Sequence, residues 1–383
     1  MISDLCKICL APYSRAENEV EVDHIDWKLL VREGHAHNVI PMLFAGLNSL
    51  NDKQSVPPVF LKYIREEAKK IFAKNLRLQS ELLSLAELLN KENINYIVYK
   101  GVMISKLFYQ QIGLREFNDN DILINQQDLP VVRDLLLQRG YEPIIPLNEI
   151  GEKKILKFEK EFCFVKRKDG EILQEIDVHW MLLRPSFAMP ITYARLMPDI
   201  SILKVGESEV STLSPECSFV ILCIHHGVNE GWSKVKYLLD IHLAIEFINS
   251  ADSWSEVMTI AQKLDVLRVV HTSLLITKRY LNSDIPDQIL NKALNDPKAI
   301  ELCEQHEFVK NESHWHVLKR KIALRDHTSK FRLVFNHFAE LASPNYADQE
   351  FIKLPKPDKM FWMYYLIKPV RILLRGEKKS KFG

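Results

Sequence analysis

Residues 116–125, EFNDNDILIN, set two aspartates, Asp119 and Asp121, one residue apart at the mouth of an apolar run. Alternate side chains of an extended chain share a face, so the stretch predicts a strand with both carboxylates pointing the same way. Like charges placed together repel, and the pattern calls for a cation between them. The competing reading is a turn, since Asn118, Asp119, Asn120 and Asp121 are all turn formers.

The neighbouring segments favour the strand. Upstream, INYIVYKG (94–101) is a short β-rich run ending in glycine, and VMISKLFYQQIG (102–113) reads as a helix closed by Gly113. Downstream, DLPVVRDLLLQRGY (128–141) predicts a helix with Asp128 as N-cap, Pro130 in the first turn and Gly140 as the stop. FCFVKRKDGEILQEIDVHW (162–180) predicts two strands joined at Lys168-Asp169-Gly170. In its second strand Glu175, Asp177 and His179 take one face and Ile176 and Val178 the other. Strand, helix, strand, helix, strand, strand describes a small mixed sheet carrying helices.

Both flanks are helical in period. FAKNLRLQSELLSLAELLNKEN (72–93) repeats Leu82, Leu85, Ala86 and Leu89 on one side. SPECSFVILCIHHGVNEGW (214–232) starts a second helical region with Ser214 as cap and Pro215 in the first turn, and Pro286, Pro344, Pro355 and Pro357 punctuate the remainder of the chain. The expected organisation is therefore an α+β chain: a helical region 1–92, an α/β core 93–213 and a helical region 214–383 with a basic end.

Of 383 residues, 47% are hydrophobic and 26% charged, the composition of a globular protein with a large core. The net charge of +1 gives no overall field to attract a long nucleic acid or a membrane. The N-terminal apolar pulse is broken by Lys7, Pro12 and Arg15, unlike a signal peptide, and six cysteines are too few for a disulfide scaffold; both point to the cytoplasm. Cys6 and Cys9 have the spacing of half a zinc site with His24, His35 and His37 downstream, but no second cysteine pair is present, so two apolar thiols on a helix is the preferred reading.

Two carboxylates on one strand, a third at Asp177 on another and a glycine turn able to approach phosphate are the equipment of two-metal phosphoryl or nucleotidyl transfer. Gly101 lies where a strand gives way to a helix, and Lys100 and Arg115 are cations available to a triphosphate. Arg115 has a structural alternative, pairing with Glu116 or with the aspartates, and Asp177 has one as a solvated strand-edge residue. His179 is expected to orient a carboxylate.

YKGVMISKLFYQQIGLREFNDNDILI (99–124) followed by EIDVHW (175–180) resembles the KG…R-x-x-x-D-x-D…D-x-H-W pattern of the uncharacterised nucleotidyltransferase family, within the polymerase-β-like nucleotidyltransferase superfamily. Residues 27–44, 225–245 and 343–355 resemble the flanking helical segments of that family, so the likeness extends over nearly the whole chain. The resemblance implies a nucleotidyltransferase-type mixed sheet and a nucleoside triphosphate, ATP among the candidates, donating a nucleotidyl group with Mg²⁺, two ions in all, to an acceptor hydroxyl or phosphate. It implies Asp119 and Asp121 as ligands of the metals, Asp177 as ligand of the metal beside the attacking oxygen, and Gly101 at the phosphate turn. Two positions depart from the pattern: Val102 follows the glycine where the superfamily has Ser or Gly, and Asn118 and Asn120 surround Asp119 where Gly and an apolar residue are usual.

His225 and His226 adjoin, but neighbours on a helix do not face each other, so His225, Lys236 and Asp240 are expected to line an acceptor pocket or the core. A small molecule, peptide or protein acceptor fits the near-zero charge better than a long nucleic acid. Two other classes stay open: an inactive nucleotide sensor, and a peripheral membrane assembly protein. The second rests on Lys368, Arg371, Arg375, Lys378, Lys379 and Lys381 after the apolar MFWMYYLI, for which the plainer reading is a last helix packed on the body with a frayed basic end.

Overall fold

The computed structural model describes residues 2–13, 24–50, 56–144, 156, 159–308, 314–325, 330–344, 348, 351–352, 354 and 357–375. Helices α1 (Ile2–Leu10), α2 (Trp27–Ala36) and α3 (Ile40–Ser49) lead into the 34-residue α4 (Pro58–Lys91). Five strands come next: β1 (Tyr96–Val98), β2 (Asn120–Ile124), β3 (Glu142–Pro143), β4 (Glu161–Lys168) and β5 (Glu171–His179). They form one mixed sheet in the order β1-β2-β5-β4-β3, in which β2 and β5 are parallel and the other pairs antiparallel. A separate hairpin, β6 (Ile200–Val205) and β7 (Ser208–Leu213), ties onto β1 where Thr212 Oγ1 donates to the Val98 carbonyl at 2.7 Å.

The period-two alternation decides how the sheet is covered. Ile122, Ile124, Ile176, Val178 and Phe164 enter one apolar cluster with Leu78, Leu82, Leu85 and Leu89 of α4 and Val132 and Leu136 of α6 (Leu129–Gln138). Asp121, Leu123, Asp177 and His179 occupy the alternate positions, and Leu123 joins a second, larger cluster in the helical body. That cluster combines Leu5, Leu30 and Leu43 from α1–α3 with Phe219 of α7 (Pro215–Ile224), Leu238 of α8 (Val235–Phe247), Val257 of α9 (Ala251–Lys263) and Leu274 of α10 (Leu267–Leu281). Ala293 of α11 (Asp287–Leu294) and Ala299 of α12 (Pro297–Glu304) extend it, and α13 (His314–Ala323) comes after them. Ile64 and Ala68 of α4 belong to the larger cluster and its later leucines to the smaller. One long helix thus joins both cores.

Local signals hold where they depend on a single turn. Ser214 Oγ accepts from the Cys217 amide at the start of α7, and Gly140 takes φ +79° just past α6. Three expectations shift. The helix after Gly101, α5, is three α residues, Val102–Ile104, continued by a π turn to Tyr109, and it ends at Gln110 in a left-handed conformation instead of at Gly113. Gly113 is instead a contact point, since a Cβ there would lie 2.8 Å from Phe72 Cδ2. Asp128 closes a 3₁₀ turn before α6 and its side chain caps nothing. Cys6 and Cys9 are buried on α1, where burial raises both thiol pKa values, that of Cys6 to about 12; among the described residues no metal-donor cluster includes them. Pro355 and residues 376–383, with Lys378, Lys379 and Lys381, lie outside the described residues.

The approach of α3 to α1 depends on one glycine. A Cβ on Gly46 would stand 1.8 Å from the Ile8 carbonyl oxygen, so any side chain forces the backbones apart. Gly46→Ala is expected to lower unfolding stability by about 2–3 kcal/mol, read as a shift in urea midpoint.

Candidate active site

Parallel pairing of β2 with β5 sets Asp121 directly opposite Asp177, with Leu123 opposite His179. On the other side of β5, β4 sets Cys163 opposite Asp177 and Glu161 opposite His179. One donor atom each from Asp121, Asp177 and His179 falls within 4.8 Å of the others, and Cys163, Glu175 and Asp177 form a second such group. Asp119 lies one residue before β2, partly exposed, outside the tighter group. Asn120 faces the opposite way, donating from Nδ2 to the Leu78 carbonyl of α4 at 3.0 Å, which fixes how β2 presents its aspartate.

The cation required by the aspartates is present as a side chain. Lys100 Nζ lies 2.7 Å from Asp121 Oδ1 and over the Tyr99 ring. Burial opposes the Lys100 charge, but Asp121 and Asp119 outweigh it and raise its pKa. His179 Nε2 approaches the same Asp121 oxygen at 2.9 Å, while its Nδ1 lies 2.9 Å from Glu161 Oε2, which in turn is 2.5 Å from Lys160 Nζ. Burial works against ionised Asp121, yet Lys100 and His179 hold its carboxyl below the usual range; Lys160 and His179 do the same for Glu161. Among the described residues Asp177 has no such cationic neighbour. Burial, then the charges of Glu161 and Asp121, push its pKa well up, and its Oδ1 is buried without a hydrogen-bond partner. Asp119 is also raised, by burial and then by Asp121. An orphaned carboxylate oxygen beside two further oxygen and nitrogen donors fits a divalent cation, whose charge would reverse the repulsion.

Gly101 stands at the end of this cluster with φ +53°, and a Cβ there would meet the Asp119 carbonyl oxygen at 3.4 Å. Its turn therefore backs directly onto the residue just before β2. Arg115 does not point freely toward that turn. Its Nε and Nη2 donate to Asp240 Oδ1 and Oδ2 at 2.8 and 2.9 Å, a bidentate pair buried on both sides. Asp240, on α8, also accepts from the Tyr109 hydroxyl at 2.6 Å and has His226 Nε2 at 2.9 Å. Of the residues expected to line a pocket, Asp240 is thus fully engaged. His225 and His226 sit on a π turn, His225–Asn229, where their rings do meet, Nδ1 to Nδ1 at 3.2 Å; burial and then the Lys100 charge keep the His225 pKa far below its ordinary value. Lys236, half-buried at the start of α8, makes no hydrogen bond or ion pair among the described residues, and burial followed by the Arg115 charge lowers its pKa to about 7.

Sequence reading missed Glu161, Lys160 and Cys163. They reach the cluster only through β4–β5 register; the nearest available signal was that Glu161 opens the same hairpin that carries Asp177.

A family model described as "Uncharacterised nucleotidyltransferase" matches residues 23–282. Among solved structures, an antigenic nucleotidyltransferase-like protein from Paracoccidioides brasiliensis is similar at 16% identity and TM-score 0.31, over 56% of this chain and 96% of that one. No curated protein matches the chain.

Because its folded-state pKa is depressed, Asp240 contributes stability that is present above the unfolded-state value of about 3.9 and is lost as pH falls below it. Asp240→Asn leaves the Arg115 charge buried and unmatched, an expected loss of about 3–5 kcal/mol at neutral pH. Thermal unfolding of both proteins across pH should show that gap narrowing below about pH 4.

Proposed function

We propose, from the premise that this chain belongs to the family of uncharacterised nucleotidyltransferases, that it transfers a nucleoside monophosphate from a nucleoside triphosphate to an acceptor hydroxyl or phosphate and releases pyrophosphate. The observation that carries this reading is the register pairing of Asp121 with Asp177, one held by Lys100 and His179 and the other left with an orphaned buried oxygen. Asp119, Asp121 and Asp177 would hold Mg²⁺, which when bound neutralises triphosphate charge and lowers the pKa of the attacking hydroxyl.

The remaining roles belong to the chain itself. Gly101 allows the backbone before Val102 to approach phosphate at the same place where it touches Asp119. Lys100, already beside Asp121, is a second positive charge for the triphosphate once the carboxylate has another partner. Lys236 is the better candidate than Arg115 for a direct phosphate contact, since Arg115 is committed to Asp240 and Lys236 is unpaired among the described residues. Arg115 and Asp240 act as positioning residues, holding the loop before β2 against α8. Glu161 positions His179, and through it Asp121. The acceptor side of the cleft falls to the helical segments, with His225 and Lys236 on it; by this reading residues 93–213 are the nucleotide-handling unit and residues 1–92 and 214–383 its helical support. A small molecule, peptide or protein is the acceptor class that the chain's charge of +1 favours.

One observation favours a second reading. Lys100 already supplies a cation to Asp121, and a chain that keeps it there in the presence of nucleotide would sense the nucleotide without turning it over.

Asp121→Asn and Asp177→Asn are each expected to abolish Mg²⁺-dependent pyrophosphate release from the four ribonucleoside triphosphates, with host-cell extract as acceptor source, while circular dichroism stays unchanged. Nucleotide binding with no release in the unaltered protein would select the sensor reading. Lys236→Met should raise the nucleotide KM about 10–100-fold, the loss of one charge-assisted hydrogen bond. Glu161→Gln should weaken Mn²⁺ binding, followed by electron paramagnetic resonance, about 10–100-fold without unfolding the protein.

A further inference from the structure

The last helix is inside out. In the helix of residues Tyr364–Arg375, here α15 after α14 (Lys330–Ala342), Tyr364, Lys368 and Arg371 recur at i, i+4 and i+7 and are the buried face. Lys368 Nζ donates to the Ser343 carbonyl at 2.5 Å, Arg371 Nε to Asp348 Oδ1 at 2.7 Å and the Tyr364 hydroxyl to the Ile352 carbonyl at 3.1 Å. Leu366, Val370, Leu373 and Leu374, at i, i+4, i+7 and i+8, form the outer face, and Leu373 is 86% exposed. The basic residues expected at the surface of this helix are therefore its anchors, and its apolar stripe faces outward.

The feature is not confined to one helix. On α14, Phe331, Phe335 and Phe338 point outward at i, i+4 and i+7, while Leu333 and His337 are buried. Trp315, Trp362 and Tyr365 are exposed as well, and half of the large hydrophobic side chains exposed among the described residues lie between positions 315 and 374. Such concentration marks a surface that something covers.

We propose that this C-terminal face docks on an anionic lipid surface. The charge argument comes from the sequence: Arg375, Lys378, Lys379 and Lys381 stand against Glu377 directly after the residues of the stripe, in a chain whose whole net charge is only +1. Outward leucines and phenylalanines with tryptophan and tyrosine among them are the composition of a helix lying at the headgroup boundary. Among the described residues no helix is long and apolar enough to cross a membrane, so contact is with one surface. The inference stands apart from nucleotidyl transfer and needs no residue of that site.

The test is flotation of the full chain with phosphatidylcholine vesicles, with and without phosphatidylserine, alongside size exclusion over a range of concentrations. The protein is expected to float with the anionic vesicles and to dissociate as salt rises. The variant L373E/L374E, which leaves Lys368 and Arg371 at their buried partners, should lower the bound fraction at least tenfold with unchanged circular dichroism. The variant K378E/K379E/K381E should do the same for anionic vesicles. Absence of flotation in the unaltered protein, or flotation that survives both variants, would overturn the proposal. A concentration-dependent dimer abolished by L373E/L374E, without vesicle binding, would overturn it in favour of a second copy of this chain.

Discussion

A buried ion pair between residues 125 positions apart ties the loop before β2 to α8 of the helical body. Arg115 and Asp240 are both out of solvent, and two charges removed from water are tolerated only when their geometry and remaining hydrogen bonds are satisfied. Tyr109 and His226 complete that requirement on Asp240, and Asn75 on α4 anchors the Arg115 carbonyl from below at 2.8 Å. The π turns at Ser105–Tyr109 and His225–Asn229 each bring one of these partners to Asp240, in keeping with the tendency of such widened turns to occur at functional places. Once this knot is tied, the loop 116–119 is anchored at its start, and β2 enters the sheet with Asp121 on the same face as Leu123, which packs into the helical body.

From there the cluster becomes a line of alternating nitrogen and carboxylate groups: Lys100, Asp121, His179, Glu161, Lys160. Each of the two carboxylates has a nitrogen on either side. Asp177, one strand away, is excluded from the line and carries the strain of its exclusion as a raised pKa and an unmatched oxygen. The contrast between two neighbouring carboxylates, one compensated and one not, is a more specific indication of a cation-handling site than a count of acidic residues.

The strands and the acidic residues were legible because they are local: period-two alternation around Ile122 and around Ile176 and Val178 says which residues share a face. The cap at Ser214 and the stop at Gly140 are equally local. Glu161 and Lys160 were not legible, because their place beside His179 depends on hairpin register across Lys168–Gly170 and on a bulge between Lys166 and Arg167. Arg115 looked available for phosphate because nothing in residues 110–120 names Asp240 as its partner. The last helix shows a different limit. The sequence showed an apolar run followed by basic residues, read as a helix packed on the body with a frayed basic end, and nothing in it said that Lys368 and Arg371 would be the buried side, held by Ser343 and Asp348.

The larger apolar cluster has a consequence for how the chain is made. Helices α1 and α3 bury Leu5, Ile8 and Leu43 together with Leu274 and Ile276 of α10, and the α2–α3 junction is tied to the start of α8, where Lys234 Nζ meets Asn38 Oδ1 at 2.5 Å and the Val235 amide donates to His37 Nδ1 at 3.2 Å. These helices therefore wait for partners translated about two hundred residues later, an interval on the order of 10–50 s. Over that time their leucine faces stay open to holdase chaperones, and the sheet with α4 and α6, whose contacts are all closer in sequence, is free to form first.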